Sequence, residues 1–181
     1  MFALPPRAEL LLAPDGVAAA VSRVAKAVNA ALSGSPERPL AIVVMRGGLI
    51  FAGHLLPQLG FPVDVDYVDA TRYGVATRGG ELAWRGGIPN SVSGRTVLLI
   101  DDILDEGLTI AAIKDKLLEA GASKVLIAVF SDKDLQHKKP VVADFVGVTL
   151  PNRYVFGFGM DVRGQWRNLP AIYALAEDQQ D

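Results

Sequence analysis

The pattern of apolar and polar positions predicts alternating helices and strands over the first two thirds of the chain. Apolar residues recur at intervals of three and four from about Asp15 to Leu32, which is typical of an amphipathic helix. A continuous apolar run from Leu40 to Met45 favours a strand buried on both faces. Gly47 and Gly48 end this run and lead into a second predicted helix, Ile50 to Leu59.

The remaining elements follow from the same patterns. They are a strand from Val63 to Val68, a loose stretch from Asp69 to Asn90 with a short hairpin near Glu81 to Arg85, a strand from Val97 to Ile100, a helix from Thr109 to Ala120, and strands Val125 to Phe130, Asp144 to Leu150 and Tyr154 to Phe158. Strands that alternate with helices predict an α/β fold with an open, mostly parallel sheet flanked by helices. Ligands bind such sheets beyond the carboxyl ends of the strands.

Composition limits the classes of protein that this chain can represent. With 181 residues, 50% of them apolar and 21% charged, residues 1–181 are expected to form a single globular domain. The sequence contains no cysteine, which excludes disulfides, thiolate chemistry and cysteine zinc sites. A net charge of −2 without a basic cluster argues against nucleic acid as a partner. No apolar run matches a membrane span or a signal peptide, so a cytoplasmic protein without membrane contact is expected.

The segment from Val97 to Ile110 carries the strongest chemical signal. A short apolar strand leads into Asp101, Asp102 and Asp105, and then into the start of a helix. Helix N-termini offer unpaired N–H groups, so the loop from Asp105 to Thr109 is a candidate phosphate cradle. Neighbouring carboxylates can bind hydrated Mg²⁺ or accept hydrogen bonds from vicinal hydroxyls. Alternatively, one carboxylate caps the helix and the others are merely solvated.

Weaker candidates follow the other predicted strands. Arg46, Gly47 and Gly48 suit either an anion-binding loop or a simple tight turn. Lys133 can donate to a ligand carbonyl or be an ordinary surface lysine. The ring of Tyr154 can stack on a planar base or pack in the core, and Asp161 and Arg167 follow it.

Taken together, these residues resemble the purine salvage phosphoribosyltransferases that act on hypoxanthine and guanine. The resemblance covers about residues 40 to 169, and its centre is the acidic strand, loop and helix. The spacing from that loop to Lys133, Tyr154, Asp161 and Arg167 is also similar to the family's. The resemblance implies a type I phosphoribosyltransferase fold, in which the terminal segments form a small hood, and a homodimer or homotetramer.

The family's roles can be carried over to the matching positions. The resemblance implies that Asp101 and Asp102 meet the ribose hydroxyls, directly or through Mg²⁺. Asp105 would accept the proton of the purine near N7. The loop would hold the 5′-phosphate of phosphoribosyl pyrophosphate with residues Asp105, Glu106, Gly107, Leu108 and Thr109. The 6-oxopurine base would contact Lys133 through its oxygen, Tyr154 through its ring and the Val155 backbone through its edge.

The resemblance also assigns the leaving-group side of the site. Asp161 would face Mg²⁺, and Arg167 would face the pyrophosphate. Residues Arg46, Gly47 and Gly48 would contact the pyrophosphate too, in a loop that often contains a non-proline cis peptide. Arg72 and Tyr73 lie at the position of the family's mobile lid.

One residue departs from the family's pattern and leaves a question open. Glu106 stands where the family usually has Thr or Ser, and like charges a few ångströms apart repel. We therefore expect its side chain to point away from the phosphate. Two alternative functions are considered, a xanthine-preferring transferase and a nucleic-acid-binding regulator with the same fold. Against the regulator stand the acidic net charge and the retained Asp105 and Lys133.

Overall fold

The computed structural model describes residues 3–72, 82–85 and 87–176. Its helices are α1 (Pro14–Leu32), α2 (Gly48–Leu55) and α3 (Leu108–Glu119), with 3₁₀ turns at Leu56–Gln58 and Asn90–Val92. Its strands are β1 (Glu9–Leu12), β2 (Leu40–Met45), β3 (Asp64–Arg72), β4 (Leu82–Arg85), β5 (Thr96–Leu104), β6 (Lys124–Asp134), β7 (Phe145–Pro151), β8 (Val155–Phe156) and β9 (Ile172–Ala174). Within these ranges, no helix is both long enough and apolar enough to cross a bilayer.

Six strands form the central sheet in the order β4-β3-β2-β5-β6-β7. Strands β3, β2, β5, β6 and β7 run parallel, and β4 pairs antiparallel with β3 at the edge. The chain passes from β2 to β3 on one side and then to β5 on the other side of β2. The strand order therefore reverses between β2 and β5. The loops that follow these two strands leave the sheet in opposite directions, and a crevice forms between them at the carboxyl ends of the strands.

Helices cover both faces of this sheet, as the sequence predicts. On one face, the apolar stripe of α1 packs with α2 against strand residues such as Ala41, Leu98 and Ala128. On the other face, α3 buries Ile110, Ile113 and Leu117 against the alternate residues of the same strands. Strands buried on both faces explain the unbroken apolar runs in the sequence.

A small antiparallel sheet of order β1-β9-β8, together with residues 152–171 before and between β8 and β9, forms the hood. It joins segments near the two ends of the chain, and Arg153 helps to hold them together. The guanidinium of Arg153 pairs with Glu9 at 2.5 Å and donates to the Leu175 carbonyl at 3.0 Å. Apolar residues of the hood belong to the same cluster as α1 and α2, so the hood is packed onto the sheet through that face.

The structure corrects several predicted boundaries. Strand β5 runs to Leu104, because its parallel pairing with β6 continues as far as Leu104 opposite Asp132. Strand β6 runs to Asp134, because its pairing with β7 continues to Pro151. Asp101, Asp102 and Lys133 therefore lie within strands, and the acidic loop starts only at Asp105. Strand β8 starts at Val155 and belongs to the hood. Helix α2 ends at Leu55 instead of Leu59, and β1 and β9 were missed.

Three aromatic rings connect sheet, helix and hood. Phe130 of β6 lies edge-on to Phe51 of α2, with ring centroids 5.8 Å apart. Its other neighbour is Phe158 from the hood, at 4.7 Å. His54 packs on Phe158 at 5.2 Å. Such ring pairs add about 0.5–1.5 kcal/mol beyond the apolar area that they bury.

Replacing the central ring of this cluster is expected to destabilise the fold. Phe130→Ala should lower the free energy of unfolding by about 3–5 kcal/mol, because it removes both ring contacts and leaves a cavity. Urea unfolding followed by circular dichroism measures the change. Val142→Ala is the control, since Val142 is 77% exposed. A Phe130→Ala loss no larger than the control's would contradict this account of the core.

Candidate active site

A pocket of about 640 Å³ lies at the carboxyl ends of β2 and β5. This volume is within the range of small-molecule sites, about 300–1,000 Å³. The predicted site residues that line it are Arg46, Gly47, Asp101, Asp102, Asp105, Glu106, Gly107, Leu108, Thr109, Lys133, Tyr154, Val155, Asp161 and Arg167. The structure thus gathers residues from several strand ends and from the hood around one cavity.

Two buried carboxylates occupy the middle of the pocket. Asp101 and Asp102 are 9% and 7% exposed at the end of β5, and the Asp102 amide donates to the Asp101 carboxylate at 2.9 Å. Burial raises the pKa of Asp101 well above its usual range, and the neighbouring Asp102 charge raises it further. Burial also raises the pKa of Asp102, although the charge of Arg167 opposes this shift. Buried charges are unfavourable without partners, so this pair favours a ligand that brings a cation or hydroxyl donors.

Glycines allow three backbone segments to meet around these carboxylates. A Cβ on Gly47 would lie 2.1 Å from the Asp102 carboxylate, and one on Gly48 would lie 2.7 Å from the Ile100 carbonyl. Gly159 in the hood has a φ of +106°, and its Cβ would lie 2.3 Å from the Gly47 carbonyl. No side chain fits at any of these contacts. The preceding Met45–Arg46 peptide is cis, in agreement with the resemblance.

The start of α3 forms the other wall of the pocket. Gly107 is the N-cap residue with a φ of +78°, and no side chain caps the helix there. Residues 107–110 line the pocket, so the positive end of the helix lies at the cavity. This is the arrangement that the sequence predicted for a phosphate cradle.

The carboxylate of Glu106 contacts His137, a residue outside the cradle. One oxygen of its carboxylate lies 3.1 Å from His137 Nε2, in the loop between β6 and β7. The Glu106 side chain is 60% exposed, and that of His137 is 55% exposed. The orientation of Glu106 beside a bound phosphate stays a prediction.

Asp105 and Lys133 meet directly at the pocket wall. The Lys133 ammonium donates to the Asp105 carboxylate at 2.7 Å. The lysine side chain is only 12% exposed, whereas that of Asp105 is 48% exposed. A proton acceptor and a hydrogen-bond donor are therefore paired side by side within reach of one ligand.

The hood contributes an ion pair and an exposed ring. Arg167 pairs with the Asp161 carboxylate at 2.5 Å and donates to the Gly159 carbonyl at 2.7 Å. Asp161 also accepts from the Gly164 amide at 2.7 Å. In the part of the chain that the structure describes, no three acidic or imidazole side chains form a metal-binding group. Tyr154 lines the pocket and is 39% exposed.

The remaining predicted residues lie outside the cavity or outside the described residues. Gly48 does not line the pocket, and its role is the close contact with β5. Arg72 ends β3, and Tyr73 lies outside the described residues. The sequence analysis missed Asp69, which lines the pocket and lies within β3, opposite Met45 at the end of β2. A carboxylate directly after a predicted strand was the signal that could have identified it.

Comparison with known proteins identifies the family to which this chain is similar. The family described as phosphoribosyl transferase domain matches residues 9–163. The hypoxanthine-guanine phosphoribosyltransferase of Bacillus subtilis is 36% identical over 138 residues, which cover 76% of this chain and 77% of the relative. The hypoxanthine-guanine-xanthine phosphoribosyltransferase of Tritrichomonas foetus is 32% identical over 142 residues, covering 78% of each.

A solved structure shows the same fold. The crystal structure of a hypoxanthine-guanine phosphoribosyltransferase from Bacillus anthracis superposes with a TM-score of 0.82 at 25% identity. The match covers 93% of this chain and 98% of the other. The parallel sheet with flanking helices is therefore the fold of this group.

Two glycines of α2 provide a matched test of the close contact with β5. Gly48→Ala should lower the free energy of unfolding by about 1–3 kcal/mol, because the new methyl group would meet the Ile100 backbone. Gly53→Ala lies in the same helix with nothing within 4 Å, and it should be neutral or stabilising by up to about 1 kcal/mol. Thermal unfolding compares the two variants. Equal changes in the free energy of unfolding for the two variants would mean that the approach of Gly48 to β5 does not constrain the loop after β2.

Proposed function

The chain belongs to the phosphoribosyl transferase family, and we propose that it transfers the 5-phosphoribosyl group from phosphoribosyl pyrophosphate to hypoxanthine or guanine. The products are IMP or GMP and pyrophosphate, which makes the protein a purine salvage transferase. The observation that carries the proposal is a single pocket that combines the α3 cradle, the buried Asp101–Asp102 pair and the Asp105–Lys133 pair.

The ribose and its cation fit the buried carboxylates. Mg²⁺ prefers oxygen ligands and is usually held by one or two carboxylates together with substrate oxygens. Asp101 and Asp102 supply such a pair, and a bound cation would offset the burial that raises the pKa of both carboxyl groups. When bound, Mg²⁺ would neutralise charge on the leaving pyrophosphate. Asp161 is a candidate for a second contact, although its carboxylate is already paired with Arg167.

Proton transfer is assigned to Asp105. As the purine nitrogen forms its bond to C1′ of the ribose, the bond from C1′ to pyrophosphate breaks, and the pyrophosphate leaves with the electron pair. The purine then carries one proton too many, which the Asp105 carboxylate accepts near N7. Such general-base work depends first on position, and the contact with Lys133 fixes the position of this carboxylate.

Base recognition is assigned to the residues around Lys133. Its ammonium lies beside Asp105 and would donate to the 6-oxo oxygen of the base, while the exposed ring of Tyr154 stacks on the purine. The Val155 backbone would read the edge of the base. The Tritrichomonas foetus relative makes a xanthine-preferring enzyme the second candidate.

The pyrophosphate is assigned to the cationic side of the pocket. Arg46 and Arg167 line the cavity, and the Gly47–Gly48 loop brings backbone close to it. The reaction passes through a cationic state at C1′, so cations at the leaving group and exclusion of water lower its barrier. Arg72 and Tyr73 are proposed to form the lid that excludes water.

An assay with purified protein tests the proposed function. The protein is incubated with Mg²⁺, phosphoribosyl pyrophosphate and one base at a time, and nucleotides are separated by chromatography. Formation of IMP and GMP is expected. Turnover of xanthine in preference to both would support the second candidate. Absence of nucleotide with every base, together with tight RNA or DNA binding, would favour the regulator.

Assembly and location are proposed on more limited grounds. We propose that residues 1–181 form one domain, since the hood and the sheet share an apolar cluster. A homodimer or homotetramer is proposed because Val65 and Tyr67, two residues apart on β3, and Leu49 near the start of α2 are each more than half exposed. Light scattering that gave a monomer would contradict this. A cytoplasmic location rests on the family assignment alone.

Removing the proposed base should affect chemistry more than binding. Asp105→Asn is expected to lower kcat by about 100-fold or more, because the amide cannot accept the purine proton. The affinity for phosphoribosyl pyrophosphate should stay within about twofold, since the cradle relies on the helix start. Steady-state kinetics and calorimetry measure the two quantities. Asp115→Asn on the exposed side of α3 is the control, and an unchanged kcat in Asp105→Asn would remove Asp105 from this role.

The charge of Glu106 should oppose phosphate binding, and its 3.1 Å contact with His137 should hold the carboxylate outside the cradle. Glu106→Gln is expected to tighten phosphoribosyl pyrophosphate binding about two- to fivefold, a factor typical of exposed charge pairs. His137→Ala should weaken binding by a similar factor, but only while Glu106 is present. Calorimetry on the two single variants and the double variant measures this coupling. If the effects of the two substitutions on binding free energy were simply additive, the 3.1 Å contact between Glu106 and His137 would have no part in binding.

A further inference from the structure

Lys139 is an almost buried lysine that the proposed mechanism does not use. It lies in the loop between β6 and β7, and its side chain is only 10% exposed. Its ammonium donates to the Leu104 carbonyl at 2.7 Å, to the Asp132 carboxylate at 2.5 Å and to the Lys133 carbonyl at 2.6 Å. An ammonium has three donors. All of them are used within the protein, so Lys139 has none left for a substrate.

The three acceptors mark the place where β5 and β6 separate. Leu104 opposite Asp132 is the last paired position of the two strands. Beyond it, β5 turns towards α3, while β6 continues along β7. Asp105 and Lys133 are the next residues on either side, and they face each other at 2.7 Å. Lys139 therefore connects the two strands at the point where their own pairing ends, next to the Asp105–Lys133 pair.

The same loop also supports the beginning of α3. Pro140 and Val141, which directly follow Lys139, lie 3.5 and 3.3 Å from the place where a Cβ on Gly107 would be. The bonds of Lys139 thus fix a segment that packs under the phosphate cradle. Removing the ammonium would leave two carbonyls and one carboxylate without their common donor, which is unfavourable in a buried place.

We propose that Lys139 is a positioning residue for the reaction, holding the Asp105 carboxylate and the Lys133 ammonium at the spacing that the purine base requires. The assignment of a base to this pair rests on the proposed function. Lys139 acts through the backbone of Leu104 and Lys133 and touches no substrate. Its ammonium supplies three donors from one atom, and each is accepted by a carbonyl or carboxylate oxygen.

Neighbouring lysines offer a matched comparison. Lys139→Met should lower kcat/KM for hypoxanthine and guanine about 10- to 100-fold, since small displacements of catalytic groups have effects of this size. The KM for phosphoribosyl pyrophosphate should change less than the KM for the base. Lys138→Met, at the exposed neighbouring position, should leave both unchanged. A purely structural loosening would raise both KM values together, and that result would overturn the proposal.

Chemical rescue separates charge from packing. The chain contains no cysteine, so Lys139→Cys introduces the only thiol. The unfolded variant is alkylated with 2-bromoethylamine, which restores an ammonium at nearly the length of lysine, or with 2-bromoethanol, which leaves a neutral group of the same size. Both samples are refolded in parallel. Recovery of base turnover with the aminoethyl group alone is expected, and equal recovery with the hydroxyethyl group would overturn the proposal.

Hydrogen exchange provides a readout that does not depend on activity. Amides of residues 105–109 and 132–134 should exchange faster in Lys139→Met than in Lys138→Met, because they lose a common anchor. Unchanged exchange there would contradict the positioning role. If the native protein formed no nucleotide from any base while exchange changed as expected, the proposed function would fail and the anchoring role would stand.

Discussion

Close packing of three backbone segments around Asp102 is the constraint on which the candidate site depends. A Cβ on Gly47 would overlap the Asp102 carboxylate, one on Gly48 would overlap the backbone of β5, and one on Gly159 of the hood would overlap the Gly47 carbonyl. Because no side chain intervenes, the loop after β2, the end of β5 and the hood are held at backbone contact distance. This contact encloses the Asp101–Asp102 pair, and the resulting desolvation raises the pKa of both carboxyl groups. The same close packing thus shapes the pocket and sets the electrostatic environment of Asp101 and Asp102.

Charge in the pocket is distributed in a way that suits a phosphorylated sugar with a leaving group. Asp101 and Asp102 are buried, and they line the pocket together with the start of α3 and with Arg46, Lys133 and Arg167. Lys133 and Arg167 are paired with acids of the same pocket, Asp105 and Asp161. The chain as a whole has a net charge of only −2, so this complementarity is local. The carboxylates of Asp101 and Asp102 would stabilise the positive charge that develops at C1′. The start of α3 and the cationic side chains would stabilise the negative charge of the 5′-phosphate and the pyrophosphate.

Local patterns predicted those parts of the fold that depend on local physics. Helix α1 and strand β2 lie where their periodicity and apolar run placed them. The ends of β5 and β6 were wrong, because polar residues such as Asp101 and Ser131 end an apolar run yet remain paired within the sheet. Their burial depends on the neighbouring loops. Strands β1 and β9 are only four and three residues long, and pairing between distant segments forms them.

The site was predicted residue by residue, but its contacts were not. Spacing along the chain indicated that Asp105 and Lys133 belong to one pocket, whereas their direct ion pair depends on how far β5 and β6 run in parallel. The partners of Asp161 and the buried position of Lys139 also required the folded chain. A lysine in a charged loop carries no local signal of burial.

Glu106 becomes understandable when the loop between β6 and β7 is considered together with the cradle. An added carboxylate at a helix start competes with a bound phosphate for the same positive end. In this chain, the loop that faces Glu106 provides His137, and two residues later Lys139 fixes the same loop to the ends of β5 and β6. Glu106 therefore contacts His137 in the loop between β6 and β7, and the same loop anchors Asp105 and Lys133 through Lys139. The unusual acid and its neighbouring loop form one structural unit, so the effect of Glu106 on phosphate binding depends on how firmly that loop is held.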